Sequence, residues 1–285
     1  MENEIKVSIV CNTYNHEKSI NEALDSFVMQ KTSFKYEVLV HDDASTDGTA
    51  DIIREYQRKY PDIIKPIFQK ENQYSQKIKI TYEYQYPRAK GKYIAICEGD
   101  DFWTDENKLQ KQFDILEQRK DVDMCAHAAQ CIDAETGRQG KMVRPKKHNT
   151  ILKTEEVITG GGDYLATNSL FFRTSLFDNP PEYIKESALD YLLQIYGSCR
   201  GGIYYLDEVM SVYRINVKNS WTSKMRADTD RKIVFKQRLI RCFKNFNRET
   251  GCKYRFSVFR VVLWHYATMI MLKCKILMTK LSILP

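Results

Sequence analysis

Three short apolar runs in the first hundred residues break off in the same way, on polar or acidic groups. IKVSIVC (5–11) runs into Asn12, Thr13, Tyr14 and Asn15; YEVLVH (36–41) into Asp42 and Asp43; YIAIC (93–97) into Glu98, Gly99, Asp100 and Asp101. Short β-branched runs of this kind read as buried strands. Between them the apolar period changes. Ile20, Ala23, Leu24, Phe27 and Val28 have the spacing of an amphipathic helix within 17–30. ASTDGT opens a second helix that Pro61 closes, a third strand is expected at 63–69, and Thr104 is placed to N-cap a helix through about Arg119. A further strand is expected at 122–132. Strands alternating with helices build a doubly wound, mostly parallel α/β sheet.

Beyond 132 the pattern weakens. Residues 137–150 are basic and polar and read as a loop, and Gly160–Gly162 as a flexible turn. A strand is expected at 169–173, a helix at 188–196, a strand or hairpin at 203–214, and helices at 223–246 and 254–280. The chain thus divides into a domain over 1–221, with halves 1–132 and 133–221, and a helical extension over 222–285.

Composition narrows the function classes. With 43% apolar and 28% charged residues the chain is globular, not disordered or low-complexity. Its eight cysteines include no C-x-x-C pair and no zinc-like spacing, which fits a reducing compartment. MENEIKVSIV has no basic n-region or h-region, and no run of about 18 apolar residues occurs, so neither a signal peptide nor an ordinary membrane span is expected. A cytoplasmic location follows. The net charge of +7 is uneven: from Lys218 onward there are 16 Lys+Arg against 3 Asp+Glu, whereas 1–217 is net −6. A basic tail on an acidic body points to an anionic surface, lipid or nucleic acid, although a solvated helix face has the same composition.

In an open α/β sheet, ligands bind beyond the carboxyl ends of the strands. Asp42, Asp43, Glu98, Asp100 and Asp101 would crowd there, and their repulsion calls for a hard divalent cation, Mn2+ or Mg2+, held by oxygen ligands. Ser45, Thr46 and Asp47 read instead as a helix cap and its first turn. Neither G-x-G-x-x-G nor G-x-x-x-x-G-K-[ST] is present, which disfavours dinucleotide dehydrogenases and P-loop NTPases.

The set VSIVCNTYN, YEVLVHDDASTDGT, AKGKYIAICEGDDFWTDENKLQKQ and YLDEVMSVYR, spread over residues 5–221, resembles the family 2 glycosyltransferases of the GT-A fold, of the bacterial surface-polysaccharide type. The resemblance implies a metal-dependent, inverting hexosyltransferase. It would move a sugar from a nucleoside diphosphate, a UDP-sugar being the expected donor. The acceptor would be a hydroxyl of a glycan or lipid-linked glycan in capsule, exopolysaccharide or lipopolysaccharide synthesis. Carried over by position, Asn12, Tyr14 and Asp43 meet the nucleotide base, and Lys77, with Lys79 beside it, lies near the nucleotide. Glu98, Asp100 and Asp101 occupy the metal-binding acidic motif, Asp100 also facing the nucleotide; either Glu98 with Asp100 or Asp100 with Asp101 forms the working pair. Asp190 in ESALDYLLQIYG matches the catalytic base, with Glu186 as its alternate. Trp103, Arg214, Trp221 and the Thr167–Asn168–Ser169 segment are weaker candidates for the acceptor side.

For the basic stretch 231–285, an interfacial helix on the inner face of the cell membrane and a packing surface for a second subunit are both open. The same acids would also suit a protein that binds a nucleotide sugar without transferring it. A nucleotidyltransferase is disfavoured because NTYNHEKS replaces the Gly-rich basic loop expected after the first strand. A nucleic-acid-binding protein is disfavoured because no recognisable module is present, and no nucleic-acid partner is expected.

Overall fold

The computed structural model describes residues 4–281 apart from 188 and 219, and only the backbone of 186, 187 and 279–281. Its elements run β1 (Ile5–Thr13), α1 (Ile20–Val28), β2 (Lys35–Asp42), α2 (Thr49–Lys59), β3 (Ile64–Phe68), β4 (Tyr93–Ile96), β5 (Phe102–Trp103), α3 (Lys108–Gln118) and β6 (Met124–Asp133). There follow β7 (Gln139–Val143), β8 (Thr150–Leu152), α4 (Thr154–Gly160), β9 (Phe171–Arg173), α5 (Glu182–Ser187), α6 (Asp190–Ser198) and β10 (Ile203–Ile215). Three helices end the chain: α7 (Trp221–Ala227), α8 (Thr229–Glu249) and α9 (Arg255–Leu281).

One mixed sheet carries the molecule, in the order β3-β2-β1-β4-β9-β6-β10-β5, with β7 on β6 and β8 on β10. The first four strands are parallel, as the alternation with helices requires. Strand β9 then enters antiparallel between β4 and β6 and joins the two halves. Residues before β9 are thereby delivered to the carboxyl edge of β4, where the acids sit. The central strands are buried on both faces: Val7, Ile9, Val38, Val40 and Tyr93 pack under α1 and α2, while Val10, Ile94, Met124 and Phe172 pack under the later helices.

Four expectations are corrected and one open alternative is decided. The stretch 137–150 is not all loop; it contains β7 and leads into β8. The third helix starts at Lys108, not after Thr104, because the backbone N–H of Thr104 is committed to the Met210 carbonyl at 3.0 Å beside β5. Of the strand or hairpin expected at 203–214, the strand forms, over Ile203–Ile215, with a register on β6 that shifts twice between Leu206 and Ser211. The helix expected over 223–246 is two, broken at Asp228, whose carboxylate accepts the Arg231 N–H at 2.9 Å and caps α8. Finally, Arg255–Met278 forms 24 residues of helix with a best-window mean hydropathy of 1.4, enough in length and composition to cross a membrane. Lys273 and Lys275 interrupt the apolar run in sequence without ending the helix.

The extension is continuous with the body. Leu239, Phe243 and Phe246 of α8 lie in the same core as α4, α5 and α6, with Phe243 edge-on to Tyr191 at 5.7 Å.

Candidate active site

The parallel register puts the ends of β1, β2 and β4 side by side. Asn12 pairs with His41 and Thr13 with Asp42. Past the end of β4 the pairing continues as backbone bonds, Cys97 N–H to Val10 O at 3.1 Å and Gly99 N–H to Asn12 O at 3.0 Å. The Glu98–Asp101 turn therefore lies against the Asn12–Thr13 end of β1. Gly99 makes this approach feasible: a Cβ there would stand 2.9 Å from the side chains of both Thr13 and His16.

Within this edge the acids have different environments. Asp101 is 2% exposed, and both its oxygens are engaged: Oδ1 accepts the Arg214 backbone N–H at 2.7 Å, and Oδ2 the Asn168 side-chain amide at 3.1 Å. Burial first, then the Asp100 charge, pushes its pKa up. Glu98 is half-buried and accepts the Asn12 backbone N–H at 3.2 Å. Its pKa is pushed up to about 8, by burial first and then by Asp100, against the lowering effect of Asn12. Asp100 is also half-buried, and neither it nor Glu98 forms an ion pair among the described residues. Arg214 comes near but spends its guanidinium on the Asp100 carbonyl at 2.6 Å and on Glu22.

Asn12 is fixed by three neighbours: its amide donates to Thr81 Oγ1 at 3.0 Å and to Glu98 Oε1 at 3.4 Å, and its Oδ1 accepts from Gln85 at 3.2 Å. Asp43 is 2% exposed; its two oxygens accept the backbone N–H groups of Gln73 and Tyr74 at 2.7 and 3.0 Å, so it pins the 72–78 loop to the end of β2. Tyr14 is 42% exposed at the tip of the β1 turn. Lys77 is exposed on the pinned loop, and Lys79 faces α8.

Asp190 opens α6 and is exposed. The Thr167 hydroxyl donates to its Oδ2 and the Tyr191 N–H to its Oδ1, the latter at 3.0 Å. Thr167 precedes β9 in the same short turn as Asn168, so one segment reaches both Asp190 and Asp101. The charge of Asp190 contributes to the raised pKa of Glu98, and Tyr213 is raised by burial and then by Asp101, Asp190 and Asp100 together. These acids thus share one region. The Glu186 side chain lies outside the described residues.

The acceptor candidates separate. Trp103 is 1% exposed, donates its indole N–H to the Asn168 carbonyl at 2.9 Å and packs edge-on to Phe27 at 5.0 Å. Asn168 is fully buried and also meets Val212 O at 2.7 Å and the Ser211 hydroxyl at 2.8 Å. Both side chains therefore meet protein groups in the interior. Trp221 is 45% exposed and packs edge-on to Phe235 of α8 at 5.1 Å. Thr81, Gln85, Glu22 and Gly99 carry the site without having been singled out from the sequence. Only Gly99, a glycine set between acids, left a trace there.

Among the described residues no three His, Cys, Asp or Glu side chains converge closely enough to enclose an ion alone. Glu98 and Asp100 nevertheless fit one face of a hard cation. They are adjoining oxygen donors, one with burial-raised proton affinity, and a substrate diphosphate would complete such a shell.

The model of the family described as "Glycosyl transferase family 2" matches residues 8–177. An uncharacterised protein of Mycobacterium tuberculosis is 34% identical over 233 residues, 81% of this chain and 64% of its own length, so the chain spans somewhat under two thirds of that relative. The putative teichuronic acid biosynthesis glycosyltransferase TuaG of Bacillus subtilis is 31% identical over 113 residues, 40% of this chain and 42% of the relative. Among solved structures, S. aureus TarS 1–349 in complex with UDP-GlcNAc superposes with a TM-score of 0.62 at 18% identity, over 85% of this chain and 67% of that one. The mannosyltransferase PcManGT of Pyrobaculum calidifontis, in complex with GDP-Man and Mn2+, gives 0.52 at 17% identity over 98% and 80%. The fold is GT-A, and with its matched region running from β1 through the acidic turn to β9, the chain belongs to glycosyl transferase family 2.

Proposed function

We propose that the chain is an inverting glycosyltransferase that moves a sugar from a UDP-sugar to a hydroxyl of a glycan or lipid-linked glycan in bacterial surface-polysaccharide synthesis. The observation that carries this is the placement of Asp190. An exposed carboxylate at the start of α6, held by Thr167 and Tyr191, lies near enough to Glu98 for its charge to contribute to that group's raised pKa. TuaG and the UDP-GlcNAc complex of TarS support the polysaccharide and UDP readings.

In this reading Tyr14 stacks on the base, Asp43 and Asn12 frame its edge, and Lys77 meets the nucleotide. Glu98 and Asp100 would hold Mn2+ or Mg2+, which when bound would supply Lewis-acid stabilisation to the leaving diphosphate. Asp101, with both oxygens engaged by protein donors, supports the turn from behind. As the acceptor oxygen attacks the anomeric carbon, its proton passes to an Asp190 carboxylate oxygen, and the bond to the diphosphate oxygen breaks on the opposite face, giving inversion. Arg214 fixes the acidic turn, and Trp221 borders the acceptor in this reading.

The test is nucleotide release from a panel of nucleotide sugars by the purified chain with Mn2+ present. Asp190→Asn should lower turnover by about 10²–10⁴-fold, the range of a lost general base, while leaving UDP affinity near that of the unaltered chain. Undiminished turnover in this variant would overturn the assignment of the base. Tight UDP binding with no donor consumed by the unaltered chain would favour a binding protein instead.

A further inference from the structure

Helix α9 is apolar on two opposite faces. Val258, His265 and Met269 are buried, and Val261, Val262, Leu272 and Ile276 are half-buried beside them. At 3.6 residues per turn these fall on one sector, held along α8 and α4. Phe256, Phe259, Leu263, Ile270, Leu277 and Met278 fall on the opposite sector and are 55–73% exposed. A helix apolar all round belongs either in a protein core or in a membrane. Only 11% of its most apolar window is buried, which excludes the first. Contiguous exposed apolar surface on this scale marks an interaction site.

Charge identifies what covers it. Between 229 and 281 there are 13 Lys+Arg and 2 Asp+Glu, and α9 carries no acid. A second copy would set this same positive field against itself. An anionic bilayer complements it. Arg260 alone among charged residues lies within the outer stripe, while Lys273 and Lys275 lie at its margins, where long stems can cover apolar surface and keep the ammonium in water. On α8, Val234, Gln237, Arg238 and Arg241 follow helical spacing and, with Lys79, line a pocket of about 400 Å³ that has no acidic residue in its wall. Its walls adjoin the site, since Lys79 lies two residues before Thr81, the partner of Asn12, and Cys242 precedes Phe243, which packs on Tyr191 beside Asp190.

We propose that α8 and α9 seat the chain on an anionic bilayer, with α9 lying in the plane of the interface and the Lys79–Arg238–Arg241 pocket receiving a lipid phosphate. The inner face of α9 is packed against the domain along its length, so the helix cannot stand across the bilayer without leaving that contact. Seating of this kind would bring Asp190 to the membrane surface, within reach of a lipid-linked acceptor. The inference does not depend on which sugar is transferred, so it stands or falls separately from the catalytic reading.

Flotation of the full chain with phosphatidylcholine vesicles, with and without about 30% phosphatidylglycerol, tests this. Binding is expected with the anionic vesicles, at least about tenfold above the neutral ones and weakened by ~0.5 M salt. Leu263→Glu with Ile270→Glu should lower binding by about tenfold or more, with circular dichroism and UDP affinity unchanged because both side chains are exposed. Arg238→Glu with Arg241→Glu should remove the anionic preference. In a Trp221→Phe background, acyl chains brominated near the headgroup should quench Trp264 more than chains brominated near the bilayer centre. Strongest quenching at the bilayer centre would overturn the in-plane placement. Absence of vesicle binding would overturn the proposal, whether the stripe is then hidden in a dimer seen by light scattering or the basic face captures an oligonucleotide.

Discussion

The sheet edge and the C-terminal helix pair depart from ordinary packing in opposite directions. At the edge, charge is brought inside: Asp43 and Asp101 are each 2% exposed. At the helix pair, apolar bulk is left outside, Phe256 at 73% and Phe259 at 65%. Inside, each carboxylate oxygen of Asp43 and Asp101 meets an N–H, because a buried charge without partners costs several kcal/mol. Glu98 draws both of its N–H partners from Asn12 alone, at 3.2 and 3.4 Å, and burial with the neighbouring Asp100 charge still raises its pKa. In the proposed reading these two half-buried acids are where an ion and a phosphate would sit. In the proposed seating, lipid would cover the exposed apolar groups.

The largest expected effect on binding breaks the edge. Asp100→Ala should lower Mn2+-dependent UDP affinity by about 10²-fold, the scale of a disturbed metal site, and leave the melting temperature near its starting value in EDTA. Isothermal titration with and without Mn2+ measures this. An unchanged Mn2+ dependence would shift the working pair away from Glu98 and Asp100.

The next pair contrasts the two sides of the extension. Phe243 is fully buried against Tyr191, and Phe243→Ala should cost about 3–5 kcal/mol in urea unfolding. Phe259→Ala, on the outer stripe, should cost no more than about 0.5 kcal/mol. Similar losses in both would mean that the outer face is covered by protein in solution.

How far the site was legible follows the same division. The strand ends were readable because a β-branched run that stops on Asn or Asp has few other meanings. The period of α1 was readable from Ile20, Ala23, Leu24 and Phe27. What remained hidden depends on contacts remote in sequence. Nothing in EGDDFW says that Asp101 turns inward while Asp100 does not; that is set by the amide of Asn168, 67 residues away. For Trp103, which follows the acids, an acceptor-side position and a core position read equally well in sequence; pairing with β10 and packing on Phe27 put it in the interior. Strand β7 escaped notice because Gln139–Met142 are all exposed, so the alternation that signals a half-buried strand is absent.

Asn168 sharpens the comparison from within the edge. Its amide donates to Asp101 and to Val212 O, and its carbonyl oxygen accepts from Ser211. Asn168→Ala should destabilise by roughly 1.5–3 kcal/mol, the range for a buried hydrogen bond to a charged group, and should weaken Mn2+-dependent binding less than Asp100→Ala does. A loss of binding equal to that of Asp100→Ala, with stability unchanged, would instead make Asn168 a direct ligand contact.

The smallest effect reports on the α8–α9 contact through pH. His265 is 4% exposed on the inner face of α9, against Phe243, and neither ring nitrogen has a partner among the described residues. Burial first, then the Lys236 charge, lowers its pKa from 6.5 to about 4. The folded chain therefore resists protonating this ring, while the unfolded chain protonates it near 6.5. The contribution is complete above pH 6.5 and declines as pH falls towards 4. At pH 5 the loss should be about 1–2 kcal/mol relative to pH 7.5. His265→Leu, which keeps an apolar group against Phe243 and removes the titration, should shrink the difference by that amount in urea unfolding. An unaltered pH profile in the variant would mean that α9 does not hold His265 against α8 in solution, and the two-faced helix would lose its inner face.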